Sequence, residues 1–246
     1  MVLGLYEFYL LARQRDIKPN IAAGYLAGGS LFTVFAFNEP GKPLDFLMIQ
    51  FILIIVTIAI LIAATIKGPP FDRTIANTGS TILGVMYVVL LGGHLVAVRT
   101  GFQPKLSTHL LGFFFLVIMG ADVAAYYVGR ALGKHKLAPS ISPGKTWEGV
   151  IGGVVGGVGM ALFSHYWFFR DFPLRWSLPL AVVMTALGVL GDLTESALKR
   201  SAGAKDAAKL LPGHGGLLDR LDSLLFNAPL IYYFGKIYFE HLFLSS

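Results

Sequence analysis

Apolar residues form long runs along the chain, separated by short polar segments. A run of roughly 20 apolar residues is long enough to cross the hydrocarbon core of a bilayer as a helix. The pattern therefore predicts an all-α, polytopic integral membrane bundle of about eight helices, seven spanning ones and a short N-terminal one. The predicted helices are residues 2–12, 19–37, 44–66, 75–98, 107–132, 148–169, 177–200 and 222–240.

The composition agrees with a membrane protein. Of the 246 residues, 55% are hydrophobic and only 14% are charged, whereas soluble domains average about 25% charged residues. There is no cysteine, which excludes disulfides and thiolate metal ligands. Because no internal repeat or linker interrupts the chain, we predict a single transmembrane domain.

Basic residues are distributed unevenly between alternate loops. Fourteen of the 20 Lys and Arg residues lie in one alternate set of loops, residues 13–18, 67–74, 130–147 and 199–222. Five lie in the opposite set. By the positive-inside rule, the long loops 130–147 and 199–222 should be cytoplasmic. This distribution accounts for the net charge of +6 without a nucleic-acid partner.

Small residues recur every four positions in the segment Gly149–Gly159, at Gly149, Gly153 and Gly157. Such a stripe lets two helices approach closely. The stripe could pack within the chain or form the contact of a homodimer, and internal packing is favoured.

Carboxylates occur on both sides of the loop 199–222. Residues at i, i+3, i+4 and i+7 share one helix face, and these are Asp192, Glu195, Ser196 and Lys199. Asp219 and Asp222 are again three residues apart where the next helix begins. Mg²⁺ prefers oxygen ligands and is commonly held by one or two carboxylates together with substrate phosphates. The spacing therefore suggests a divalent metal bound with a phosphate compound.

Between the carboxylate pairs lie a glycine turn with His214 and a set of cations, Lys199, Arg200, Lys205, Lys209 and Arg220. Glycines allow backbone N–H groups to approach an anion closely. A plain basic loop with salt bridges would account for the cations alone. It would not account for Asp192 behind Gly191 in an apolar run, where ionisable residues are usually functional.

A second polar segment, residues 142–149, lies in the other long basic loop. Ser142 followed by Pro143 predicts a helix start, and the free N–H groups at such an end suit phosphate. Lys145 adds a positive charge. The alternative is a simple helix cap with a solvated lysine. A P-loop is excluded, because the position of its first glycine is Pro139.

Asp122 lies in the predicted helix 107–132 and shares a face with Tyr126 and Gly129. A carboxylate within an apolar helix needs a partner or a wet cavity. Asp122 could line a polar pocket or pair structurally with a lysine, and the sequence leaves both open. Glu7 is also ionisable within an apolar run, but the sequence gives no role for it.

The segment Ser196–Asp222 resembles the signature of the phosphatidate cytidylyltransferases, also called CDP-diacylglycerol synthases. Every defined position of that signature is matched, by Ser196, Leu198, Lys199, Arg200, Lys205, Asp206, Ala208, Leu211, Pro212, His214, Gly215, Gly216, Leu217, Asp219, Arg220, Leu221 and Asp222. The segments 142–149 and 191–196, and Asp122 with Tyr126 and Gly129, are similar to further motifs of this family. The resemblance is strong over about residues 110–235. Family members usually carry another apolar segment ahead of the position of Glu7, which predicts a longer chain.

The resemblance implies a Mg²⁺-dependent transfer of a cytidylyl group from CTP to phosphatidate, giving CDP-diacylglycerol and pyrophosphate. It implies an enzyme of the cell inner membrane whose site faces the cytoplasm, with N-terminal helices in residues 1–106 and a catalytic part in residues 107–246. Asp192 and Asp219 would hold Mg²⁺, and Asp222 would complete that site or bridge to a second cation.

The remaining site residues are predicted to bind phosphates or the lipid head. Those assigned to catalysis are Lys199, Arg200, Lys205, His214 and Arg220, with His214 orienting a phosphate or the leaving group. Those assigned to substrate binding are Ser142, Lys145, Ser196, Gly215, Gly216 and Asp122.

Two other functions fit parts of the pattern. A CTP-dependent lipid or polyprenol kinase would use a similar site but transfer a terminal phosphoryl group. A cation transporter could use Asp122 and Asp192, but it would leave the cluster of basic residues unexplained and predicts inverted repeats that the sequence lacks.

Overall fold

The computed structural model describes residues 1–42, 44–69, 71–204 and 216–241. Helices dominate this part of the chain: α1 (Val2–Arg13), α2 (Ile21–Ala36), α3 (Phe46–Lys67), α4 (Thr74–Gly84), α5 (Leu91–Thr100), α6 (Pro104–Leu132), α7 (Trp147–Trp167), α8 (Leu174–Ala202) and α9 (Leu218–Gly235). π-Helical segments join α4 to α5 (Val85–Leu90) and continue α9 (Lys236–His241). The predicted all-α fold is confirmed, and each predicted segment corresponds to a helix or to the continuous α4–α5 rod.

Polar side chains set several helix starts. The side chain of Asn20 accepts a hydrogen bond from the backbone N–H of Ala23, at 3.1 Å, ahead of α2. Asp45 accepts one from Met48, at 2.8 Å, ahead of α3. Such caps satisfy backbone donors that have no partner within the helix, so the apolar segments begin where a short polar residue precedes them.

Five helices in the described part of the chain are long and apolar enough to cross a membrane: α3, the α4–α5 rod, α6, α7 and α8. Helix α3 has a mean hydropathy of 3.0 over its most apolar window, of which only 11% is buried in the protein. An apolar surface of this kind is stable next to lipid and costly in water. The protein is therefore a multi-pass membrane protein, and most of the apolar surface of α3 is left uncovered by the described residues.

The chain divides into two compact units. The first contains residues 1–102 and 198–221, and the second contains residues 103–197 and 222–246. In the first unit, α1, α2 and α4 pack around Tyr9, whose hydroxyl donates a hydrogen bond to the carbonyl oxygen of Thr81, at 3.0 Å. Gly24 lies so close to the Tyr9 ring that a larger residue would clash with it.

In the second unit, α6 and α7 pack along the glycine stripe. A Cβ atom placed on Gly149 would lie 3.0 Å from the carbonyl oxygen of Ala125, and one on Gly153 would lie 3.2 Å from that of Ala121. At Gly157 the nearest atom would be the Thr185 hydroxyl of α8, at 2.6 Å. The prediction that this stripe packs within the chain is confirmed.

The packing predicts a marked difference between two glycines of α7. At Gly156, a Cβ would clash with the Ala124 Cβ and lie 2.8 Å from the Gly120 carbonyl oxygen, whereas among the described residues no atom lies within 4 Å of one at Gly159. We expect Gly156→Ala to destabilise the protein by about 1–3 kcal/mol, because the backbones of two helices would have to separate. The matched Gly159→Ala should be neutral or stabilising by up to ~1 kcal/mol. Thermal unfolding in detergent measures both, and equal stability of the two variants would contradict this packing.

The predicted helix start at Ser142–Pro143 is wrong. Residues Ser142–Thr146 form strand β2, which pairs antiparallel with β1 (Lys136–Ala138). Helix α7 begins after Thr146, whose hydroxyl accepts a hydrogen bond from the backbone N–H of Gly149, at 3.2 Å. Backbone groups of residues 142–146 take part in strand pairing, so the helix does not start at Ser142. Thr146 is as well suited as Ser142 to cap a helix.

Candidate active site

Three carboxylates and one lysine form a polar cluster in the second unit. We call it the Asp192 cluster, and it consists of Asp122, Lys145, Asp192 and Asp222. The Lys145 ammonium lies 2.7 Å from a carboxylate oxygen of Asp192 and donates to the carbonyl oxygen of Val189, at 3.3 Å. All four charges are close enough to influence one another electrostatically. These residues come from α6, β2, α8 and α9, so four elements supply one charge each.

A close approach of two helices sets the geometry of this cluster. A Cβ atom on Gly191 would lie only 2.5 Å from the carbonyl oxygen of Asp222. The Ser223 hydroxyl donates to the carbonyl oxygen of Gly188, at 3.3 Å. Glycine is therefore required at position 191, because any side chain would push α8 away from α9 and separate Asp192 from Asp222.

Asp122 lines a small cavity of about 20 Å³ together with Thr185 and Gly188. Most of the other residues that line it are apolar, among them Ile118 and Met184. The lysine of the cluster contacts Asp192, and both alternatives for Asp122 stay predictions. Ser196 adds a hydroxyl that donates to Asp192, at 3.4 Å.

A second polar cluster lies in the first unit, and we call it the Asp219 cluster. One carboxylate oxygen of Asp219 accepts from the Lys199 ammonium, at 2.7 Å, and the other accepts from the backbone N–H of Gly216, at 2.8 Å. The side chains of Lys199 and Asp219 are only 15% and 16% exposed. A pair this well shielded from water is held more firmly than a surface ion pair, so the lysine and the carboxylate have fixed positions.

Glu7 of α1 anchors the same segment. Its side chain is completely buried, and its two carboxylate oxygens accept from the backbone N–H groups of Leu217 and Leu218, at 2.8 and 2.7 Å. The carboxylate thus satisfies unpaired donors at the N-terminus of α9, where negative charge is also favoured by the helix dipole. The only sequence signal for this role was an ionisable residue within an apolar run.

We expect Glu7→Gln to destabilise the start of α9. A neutral amide has one acceptor oxygen and would leave a buried N–H group without a full partner, which costs roughly 1–3 kcal/mol. Hydrogen exchange of the backbone amides of Leu217 and Leu218 should rise, and thermal stability in detergent should fall. Glu39→Gln is the control, because Glu39 forms an exposed pair with Lys42. Unchanged exchange in Glu7→Gln would show that these bonds do not hold the segment.

Some of the other predicted site residues lie on the helices and the strand described above, and others lie outside the described residues. Arg200 and Arg220 are exposed on the helix ends that flank the Asp219 cluster, and Ser142 is half-buried on β2. Gly216 contributes its backbone N–H to Asp219. Lys205, His214 and Gly215 lie outside the described residues.

The donor atoms of the described residues bear on metal binding. In the ranges that the structure describes, no three His, Cys, Asp or Glu side chains converge closely enough to hold a metal ion. The Asp192 cluster nevertheless has suitable chemistry, since three carboxylates with one lysine provide hard oxygen donors and an excess of negative charge. The predicted ligands Asp192, Asp219 and Asp222 remain predictions.

The family of this chain follows from its similarity to known proteins. A family model described as the cytidylyltransferase family matches residues 1–238. The chain belongs to the cytidylyltransferase family. This match includes both polar clusters as well as α1 with Glu7.

Individual members of the cytidylyltransferase family match shorter segments. A protein of Haemophilus influenzae named phosphatidate cytidylyltransferase is 48% identical over 136 residues, covering 54% of this chain and 47% of that protein. One of the same name from Brucella suis is 48% identical over 129 residues, covering 52% and 47%. One from Bacillus subtilis is 36% identical over 182 residues, covering 74% and 64%. The chain thus spans about half the length of the first two of these curated relatives.

Proposed function

We propose that this protein transfers a cytidylyl group from CTP to phosphatidate, forming CDP-diacylglycerol and pyrophosphate. Membership of the cytidylyltransferase family supports the class of reaction, and the names of the similar proteins support phosphatidate as the acceptor. The structural observation that best supports this proposal is a lysine paired with a carboxylate in each cluster. Lys145 pairs with Asp192 and Lys199 with Asp219, both at 2.7 Å. Such pairs supply the cations and oxygen donors that a phosphate transfer needs.

In the proposed reaction, a phosphate oxygen of phosphatidate attacks the α-phosphorus of CTP. The bond from that phosphorus to the bridging oxygen of the β-phosphate breaks, and pyrophosphate leaves with the bonding electrons. The phosphatidate headgroup is already an anion near neutral pH, so a strong general base is not required. Catalysis then depends on positioning and on neutralising phosphate charge.

The chain's own residues would perform those two tasks. Lys145 and Lys199 would exchange their carboxylate partners for phosphate oxygens, and Arg200 and Arg220 are exposed at the ends of the flanking helices where they can reach an anion. Asp192 and Asp219 would hold Mg²⁺, and Asp222 would complete that site or bridge to a second cation. When bound, Mg²⁺ would neutralise charge on the CTP phosphates and on the departing pyrophosphate.

We further propose that the site faces the cytoplasm at the inner face of the cell membrane. Both clusters include residues of the basic loops 130–147 and 199–222, which the positive-inside rule assigns to the cytoplasm. CTP could then enter from water while the acyl chains of phosphatidate stay in the bilayer. A protease or labelling reagent applied from each side of sealed vesicles would determine the orientation of these loops.

The reaction is tested by incubating the purified protein with CTP, Mg²⁺ and phosphatidate in detergent micelles. We expect pyrophosphate and CDP-diacylglycerol in equal amounts, and no product when Mg²⁺ is omitted. Release of CDP with a newly phosphorylated lipid, when a lipid alcohol is supplied, would instead identify a CTP-dependent lipid kinase. Absence of both products from folded protein would contradict the proposal.

A further inference from the structure

The first unit contains a large cavity, and none of the residues assigned to the reaction lines it. Its volume is about 750 Å³, within the range of small-molecule sites. It lies where α1 and α3 end and where α2 and α4 begin. The two loops beside it, residues 13–18 and 67–74, both belong to the basic set assigned to the cytoplasm.

The charges around the cavity favour an anion. Four cations line it, Arg13, Lys18, Lys67 and Arg73, against two carboxylates, Asp16 and Asp72. Within the described part of the chain, the side chains of Arg13, Lys18 and Lys67 make no ion pair. The lining thus carries an excess of two positive charges, and three of its cations have no ion-pair partner among the described residues, so the cavity is suited to a phosphate group.

Hydrogen bonds hold the loops that form the cavity rim. The backbone N–H of Lys18 donates to the side-chain oxygen of Asn77, at 2.6 Å. The Arg73 guanidinium donates to the carbonyl oxygen of Arg15, at 2.7 Å. These bonds tie the loop after α1 to the start of α4, so the cavity is formed before a ligand binds.

The wall contributed by α3 is apolar. Ile60, Ala63 and Ala64 line the cavity on this side, and an apolar groove of about 560 Å³ runs along the earlier part of the same helix, from Phe46 to Ile58. At 100° per residue, Ile49 in the groove and Ile60 and Lys67 in the cavity fall on one face of α3. Ile49 and Ile60 are buried, whereas Phe46 in the groove and Ala63 in the cavity are exposed. A ligand in the cavity would therefore meet charge at the helix end and exposed apolar side chains beside it.

We infer that this cavity binds the headgroup of an anionic phospholipid, with an acyl chain lying along α3. Basic pockets between membrane helices on the cytoplasmic side are suited to such headgroups. A water-soluble phosphate compound would match the cations but would leave the apolar face of α3 unused. The site is connected to the signature segment, because the Arg15 guanidinium donates to the carbonyl oxygen of Ser201, at 2.9 Å. This inference does not depend on the proposed reaction.

Binding is measured by titrating the purified protein in neutral detergent with fluorescent phosphatidylglycerol, and with phosphatidylcholine that carries the same acyl chains and label. We expect tighter binding of phosphatidylglycerol by at least about tenfold. Each cation near the membrane surface contributes roughly fivefold in affinity, so Arg13→Gln combined with Lys67→Gln should weaken binding by about 30-fold. Lys42→Gln with Lys105→Gln is the matched control, because it removes the same charge from the opposite loops and should preserve binding.

Three results would overturn the inference. They are equal affinity for the two lipids, unchanged affinity in Arg13→Gln/Lys67→Gln, and displacement of phosphatidylglycerol by inorganic phosphate or CTP at similar concentrations. The last result would identify a soluble phosphate compound as the occupant. Circular dichroism and thermal unfolding of each variant establish that a loss of binding is not a loss of fold.

Discussion

Asp192→Asn is expected to reduce turnover of CTP and phosphatidate by roughly 100- to 1,000-fold, the range found when a group that stabilises transition-state charge is removed. The substitution preserves the size of the side chain but removes the negative charge that pairs with Lys145 at 2.7 Å. It would also remove one proposed oxygen ligand of Mg²⁺. Steady-state rates at several Mg²⁺ concentrations measure the effect, and the variant should need more Mg²⁺ for half-maximal activity.

Asp171→Asn is the matched control for this prediction. Asp171 is an exposed residue in the turn between α7 and α8, within the loop set that the charge pattern places opposite the site. The control should keep near-normal activity, and both variants should insert into the membrane and elute as folded protein. Near-normal turnover by Asp192→Asn would remove the basis for the metal assignment, whatever the control does.

Asp219→Asn is expected to reduce turnover by about 100-fold or more, because Asp219 fixes both the Lys199 ammonium and the Gly216 backbone N–H. Lys199→Met should have an effect of similar size, since the two side chains form one shielded pair. If the two residues act as a unit, the double variant should be little worse than either single variant. The kinetic constants of the four proteins in this cycle provide the measurement.

Glu240→Gln provides a control for the loss of an ion pair as such. Glu240 pairs with Lys236 at 2.9 Å, with side chains 19% and 9% exposed, so its burial resembles that of the Lys199–Asp219 pair. It lies beyond the signature segment. Loss of activity in Glu240→Gln equal to that in Asp219→Asn would indicate a general effect on stability. Fully additive effects in the cycle would show that Lys199 and Asp219 act independently.

The sequence predicted the helices well because apolar runs of this length have few alternatives in a bilayer. Backbone groups in lipid must be satisfied internally, so a long apolar run becomes a helix. The predicted segments 44–66 and 148–169 therefore agree closely with α3 and α7. The stripe at Gly149, Gly153 and Gly157 was equally informative, since small residues at a fixed helical period predict a close packing face.

The segment before α7 shows where local sequence patterns failed to predict the secondary structure. Ser142 and Pro143 are typical of a helix start, yet they lie in β2. In the hairpin, residues of β2 pair with Lys136–Ala138. Next to it, His135 contacts Glu148, with His135 Nδ1 2.6 Å from Glu148 Oε1. Ser142 and Thr146 lie four positions apart and are both suitable N-cap residues. Propensity alone does not show which of them precedes the helix.

By itself, the sequence determined the helical membrane fold, the family and the residue types of the candidate site, because apolar length and motif spacing are properties of the chain. Only the tertiary structure decided which groups are paired. It placed Lys145 against Asp192, Lys199 against Asp219, and Glu7 beneath the start of α9. These partners are far apart in sequence, and they meet because close packing of helices, at Gly191 for example, fixes distances that no local pattern encodes.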